Sequence, residues 1–171
     1  MRPLKAAVKT YAFFTFQSKP IKNGQQRMAK MGLQQEIHFE SGLLTVDARG
    51  EFSLEEAKQA FLEMLAAVAQ YHAEKVLFDG RNLKGTPEHI ERFYYGYFAA
   101  IETMKLIAQY PMRRAPRFAY LINAPLRDPR RYGETVAVNL GMTVKTFETP
   151  EEAFEWLELT PPNKKPDADD L

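Results

Sequence analysis

Asp79, Arg81, Asn82, Lys84 and Thr86 crowd into the stretch DGRNLKGTP, directly after the apolar run KVLF. A carboxylate, a guanidinium, an amide, an ammonium and a hydroxyl side by side suit recognition of a polar or anionic group. Asn123 and Arg127 stand in the equivalent place after the apolar run RFAYLI. Acyl or phosphoryl transfer needs an activated nucleophile with a base beside it. No serine, cysteine or histidine nucleophile is recognisable near either cluster, so binding is predicted here and no catalytic residue is assigned. Thr86 has two readings. Its oxygen can cap the helix that follows, or it can accept a phosphate, whose charge would suit a helix N-terminus beside Lys84 and Arg81. The bland reading of Asp79 and Arg81 is an aspartate that caps turn amides and an arginine that pairs with it.

Metal and thiol chemistry find little support. The chain has no cysteine, and its three histidines, His38, His72 and His89, are not spaced as helical metal ligands. No cofactor is predicted. The absence of cysteine fits a reducing compartment, and a cytoplasmic location is expected.

Periodicity supplies the elements that must position these residues. QQEIHFE and LLTVDARG alternate as strands around Ser41-Gly42, which reads as a hairpin. SLEEAKQAFLEMLAAVAQYH reads as a helix, with Ser53 as N-cap and Glu56 three residues on. Leu54, Ala57, Phe61, Leu65 and Val68 form its core stripe. KVLFDG reads as a buried parallel strand, ending in a turn that carries Asp79, Arg81 and Asn82. Thr86-Pro87 is then predicted to start a helix running to about Gln109, with proline in its first position. A strand RFAYLIN, a short helix around Asp128 to Leu140, a strand TVKTF and a helix capped by Thr149-Pro150 complete the series. The order ββαβαβαβα predicts an α/β fold: a single, mostly parallel five-stranded sheet with flanking helices and one antiparallel edge strand.

Charge divides the 171 residues. Of the 23 lysines and arginines, seven fall in the first 35 residues, where there is no acid; all 22 acids lie beyond, against 16 bases. Residues 1–32 are therefore read as a basic leader, 33–159 as the domain, and the proline-rich 160–171 as a disordered tail. The leader has three readings: a strand-like tail on the domain, a membrane-surface or targeting segment, or sequence preceding a true start at Met28 or Met31. The acidic body argues against nucleic acid as a partner.

The runs LLTVDARGEFSLEEA, KVLFDGRNLKG, RFAYLIN and GMTVKTFETPEEAFEWL, in that order, resemble the STAS (anti-sigma-factor antagonist-like) domain family over about residues 33 to 159. The resemblance implies a regulatory binding module rather than an enzyme. It also implies a phosphorylatable serine at the start of the helix after the third strand. Lys84-Gly85-Thr86-Pro87 stands there, and Thr86 is the one hydroxyl.

The aromatic helix IERFYYGYFAAIETMKLIAQY carries more apolar surface than one face needs. Ile90, Phe93, Tyr94, Tyr97, Ile101, Met104 and Ala108 are predicted to cover the sheet. Tyr95 and Phe98 then form a second face with three readings: packing under neighbouring helices, a self-association surface giving a homodimer, or a wall of an apolar, lipid-like ligand pocket. The leading expectation is a protein partner bound at residues 80–90 and the adjoining helix. The alternative is a sensor or carrier of a small anionic or apolar ligand held by Asp79, Arg81 and Asn123. Membrane contact is expected only through the leader.

Overall fold

Ser41 and Gly42 both have positive φ, 51° and 82°, the backbone of a two-residue type I′ hairpin. The hairpin joins β1 (Gln34–Glu40) to β2 (Leu43–Glu51), paired antiparallel with Glu40 opposite Leu43. The computed structural model describes residues 32–110 and 112–160. The expected leader, apart from Gly32, and the expected tail beyond Thr160 lie outside the described residues.

The order continues with α1 (Leu54–Tyr71), β3 (Lys75–Lys84), α2 (His89–Gln109), β4 (Arg117–Leu121), α3 (Tyr132–Asn139), β5 (Thr143–Phe147) and α4 (Pro150–Trp156). It is the ββαβαβαβα series expected. The five strands lie side by side in chain order, with β2 to β5 parallel and β1 as the antiparallel edge. KVLFDG thus occupies the centre of the sheet.

Strand alternation divides the core in two. Leu44, Val46, Val76, Phe78, Phe118 and Tyr120 point to one face, where α1, α2 and α3 cover them with Phe61, Met64, Val68, Ala99, Ala100 and Ala137. Leu77, Ala119, Leu121 and Phe147 point to the other, beneath Ala153 and Leu157 of α4. Trp156 lies against the Phe147 ring at 5.7 Å, with the Arg117 guanidinium 4.5 Å over its own ring. Ser53 and Thr149 cap α1 and α4 as expected, each accepting the amide of the glutamate three residues on at 3.4 Å.

Three expectations are corrected. Asp79, Arg81 and Asn82 are strand, not turn: β3 leaves β4 after Asp79 and runs on beside β2 to Lys84. Two β3 residues, Gly80 and Arg81, there face the single Ala48 of β2, and the pairing resumes at Arg49–Asn82. Second, α2 starts at His89, not Thr86. Glu88 is its N-cap, with the Glu88 amide donating to Glu91 Oε2 at 2.7 Å, and Thr86 and Pro87 precede the cap. A glutamate three residues into the helix closed the turn more effectively than the hydroxyl two residues upstream of the cap. Third, α3 starts at Tyr132 rather than near Asp128.

The inward side of α2 is also the reverse of the one expected. Gly96, Ala99, Ala100, Thr103 and Leu106 are buried, while Ile90, Tyr94 and Tyr97 are 52%, 50% and 47% exposed. Of the three readings for Tyr95 and Phe98, their placement fits packing under a neighbouring helix: both rings lie against Phe61 of α1, at 6.1 and 6.3 Å. Close approach of α2 to α3 explains the choice. A Cβ on Gly96 would lie 2.3 Å from the Gly133 carbonyl oxygen, and one on Gly133 would lie 2.8 Å from that of Arg92. Only the small-residue side of α2 can enter that contact.

Gly96→Ala pits two effects against each other. Alanine gains about 1 kcal/mol of helix propensity over glycine, whereas forcing a methyl into packed backbone costs roughly 1–3 kcal/mol. The obstructing atom is backbone, so the expected result is a net loss of about 1–2 kcal/mol in urea denaturation. An unchanged or higher midpoint would show that the two helices separate freely.

Candidate functional site

Small residues on three helices face the same part of the sheet. Ala57 and Ala60 of α1, Gly96 and Ala99 of α2, and Gly133 and Ala137 of α3 all border a cavity of about 150 Å³ beneath α2. Phe78, Tyr120, Ile122 and Val144 line it from the sheet side, and Phe61, Met64 and Tyr95 line it from the helices. Where the small helical residues lie, the layers leave space that larger side chains would fill. The site lies toward the carboxyl ends of the parallel strands, where open α/β sheets bind ligands.

Three polar side chains at its margins, Arg92, Asp128 and Glu134, are committed to the scaffold. Arg92 donates to the carbonyls of Pro87 at 3.2 Å, Leu126 at 2.5 Å and Pro125 at 2.9 Å, tying the β4–α3 segment to the start of α2. Asp128 accepts the amides of Arg130 and Tyr132, both at 3.0 Å. Burial pushes its carboxyl up, but those amides and the Arg92 and His89 charges prevail and leave it below the ordinary range. Glu134 Oε2 accepts the amide and hydroxyl of Thr146 at 2.8 and 2.6 Å, and its Oε1 lies 3.7 Å from Arg131.

Two phenols differ from these. Tyr95 of α2 and Tyr120 of β4 bring their hydroxyl oxygens to 3.3 Å. Burial pushes the Tyr95 hydroxyl up to about 12, against a small lowering from the hydrogen bond to Tyr120. Burial raises Tyr120 well above its ordinary value, and the neighbouring Tyr95 adds to the effect. Both therefore stay protonated and neutral.

The residues predicted as a binding set do not converge here. Asp79 and Arg81 form a tight pair: the Arg81 Nε donates at 2.9 and 3.2 Å, its Nη2 at 2.6 Å, and its amide at 3.1 Å, all to the Asp79 carboxylate. This matches the bland reading, save that the pair sits at a strand irregularity rather than a turn. Asp79 points to the α4 side of the sheet, and Asp47 and Glu151 act on Arg81 there. Asn82 and Lys84 are exposed on the β3 extension, opposite Arg49 and Glu51. Asn123 is exposed beyond β4; its carbonyl accepts the Arg127 amide at 2.8 Å. Arg127 instead pairs with Glu148 and borders a separate polar cleft with Arg131, Lys145, Glu152 and Glu155. No hydrogen bond or ion pair among the described residues joins Asp79 or Arg81 to Asn123 or Arg127. Thr86 is exposed in the β3–α2 connection. The described residues contain no group of three or more histidines and acids arranged to hold a metal. No helix among them is long and apolar enough to cross a membrane.

The chain is similar to an anti-sigma factor antagonist from Mycobacterium paratuberculosis, at 12% identity and a TM-score of 0.45, over 74% of this chain and 94% of that one. It is similar to the anti-sigma factor antagonist SpoIIAA in its unphosphorylated form, at 13% identity and a TM-score of 0.48, over 73% and 96%. A protein from Shewanella loihica with a SpoIIAA-like fold aligns at 22% identity and a TM-score of 0.40, over 74% and 94%. No family model and no curated protein matches the sequence.

The Asp79–Arg81 pair sets a pH dependence. Burial pushes the Asp79 carboxyl up, but the Arg81 side chain, amide and charge outweigh it, so it lies below the ordinary 3.8. Its stabilising contribution is complete above that value and is lost as pH falls through the lower folded one. With Arg81 partly exposed, the contribution is of order 1 kcal/mol or less. Wild type is expected to melt above Asp79→Asn at pH 7, with the gap closing below about pH 4. A constant gap from pH 7 to 2 would exclude ionisation of Asp79 as its source.

Proposed function

We propose that this chain is a non-enzymatic binding module whose cavity beneath α2 takes a small, predominantly apolar molecule, which it senses or carries. The carrying observation is the ring of six small residues on three helices around that 150 Å³ space. A space of this size in an apolar core accommodates a benzene-sized guest. The dispersion contacts that such a guest makes with its walls favour its entry. The polar set at the β3 and β4 ends is a weaker basis for a ligand, because its members are divided among separate places.

Thermal melting against a panel of ring-sized apolar compounds tests this reading. Saturation at a hundred times the dissociation constant adds about 2.7 kcal/mol, which for a domain of this size raises Tm by roughly 10 °C. Ala99→Leu, which projects a larger side chain into the cavity, is expected to abolish the rise. A panel that leaves Tm unmoved, or a rise that survives Ala99→Leu, would refute the cavity as the binding site.

A second reading has its own observation. Ile90, Tyr94 and Tyr97 expose aromatic and aliphatic surface on the outer side of α2, next to the exposed Thr86. Aromatic enrichment of this kind favours a regulatory protein partner. Replacing Tyr94 and Tyr97 by serine is expected to abolish capture of that partner while leaving the ligand-induced melting response intact. Retained capture would exclude this face.

A further inference from the structure

Tyr95 and Tyr120 hold two O–H donors, and their mutual contact uses only one of them. No hydrogen bond among the described residues takes the second proton. The mutual bond is also long: 3.3 Å against the roughly 2.5–3.0 Å usual between hydroxyl oxygens. Both rings are fixed from the side. Tyr95 abuts Phe61 edge-on at 6.1 Å, and Tyr120 lies 4.7 Å from Phe78. Their hydroxyls can rotate about the C–O bond while the rings stay still. Both tyrosines border the cavity, from opposite layers. Arg92, Asp128 and Glu134 at its margins are already bound to backbone or hydroxyl groups.

We propose that the two phenol hydroxyls rotate together onto one acceptor oxygen of the guest, so that the cavity selects a ring-sized apolar molecule bearing a single compact acceptor such as a ketone carbonyl. The inference rests on the cavity reading above and names the ligand class for it. Two O–H protons meet at this spot and their mutual contact uses one, so a guest acceptor placed there can take both. The available space also sets a limit, because about 150 Å³ holds one ring rather than a long acyl chain.

Cyclohexanone and methylenecyclohexane provide the test, having nearly the same shape and differing in C=O against C=CH₂. Each is titrated by calorimetry into wild type and into the Tyr95→Phe/Tyr120→Phe double variant, which keeps both rings. The expected result is that wild type binds both, and that the double variant loses about threefold to tenfold in ketone affinity, the worth of the one neutral hydrogen bond gained once the mutual bond is given up, with hydrocarbon affinity unchanged. Equal ketone affinity in the two proteins, or a parallel loss for both probes, overturns the tyrosine pair as the acceptor site and leaves the cavity reading standing. Failure of wild type to bind either probe overturns both. Should the double variant not fold, tyrosine hydroxyl proton resonances of wild type give the same decision. Displacement by ketone and not by hydrocarbon supports the pair, and identical responses reject it.

Discussion

The contact between the Gly96 and Gly133 backbones fixes the height and tilt of α2, and most of the architecture around the cavity depends on it. A helix with side chains at such a crossing stands roughly 8–10 Å from its neighbour, axis to axis; with glycine on both sides, carbonyl oxygens fill the gap instead. The Arg92 guanidinium, one turn before Gly96, then holds the carbonyls of Pro87, Leu126 and Pro125. A lysine would present one charged point to three acceptors, whereas the planar fork reaches them together. Roof helix and β4–α3 segment are thus tied together over the sheet.

Much of this fold was legible because its signals are local. The Ser41-Gly42 hairpin, the Ser53 and Thr149 caps and the alternating runs of the strands each depend on a few neighbouring residues. The order of elements then leaves few topologies open. The orientation of α2 was not legible from the same kind of signal. Counting large apolar residues assigns Tyr94 and Tyr97 to the core, whereas packing chose Gly96, Ala99, Ala100 and Thr103, since a neighbour at glycine distance excludes anything larger. A stripe of small residues was the available signal. Alanine and glycine count for little on hydropathy, so the stripe is faint in the sequence.

The candidate site was less legible, for a different reason. Asp79, Arg81, Asn82, Lys84 and Thr86 are close in sequence, and closeness in sequence implies convergence only in a turn. The β3 extension spreads them instead: alternation sends Asp79 to the α4 side, and the extra residue at Gly80-Arg81 carries Asn82 and Lys84 along β2. Thr86 failed as a cap because Glu91 reaches back to the Glu88 amide and defines the helix start two residues later. A cavity, in turn, is what remains after six side chains on three helices stay small. No local window displays it.

Ala57, Ala60 and Ala99 bear on selectivity as much as on volume. Small apolar walls contribute shape without competing hydrogen bonds, so discrimination between guests of equal size falls to whichever polar atoms remain uncommitted. A site built around fixed donors rejects an isostere lacking the acceptor far more strongly than an apolar wall rejects an extra methylene. Arg92, Asp128 and Glu134 are satisfied by backbone and hydroxyl partners, which removes their charges from that role. Tyr95 and Tyr120 are neutral at ordinary pH, and burial moves them further from ionisation. With an apolar ring around a pair of neutral donors, chemical choice narrows to the acceptor atom, and its geometry is set by the same helix position that Gly96 and Gly133 impose.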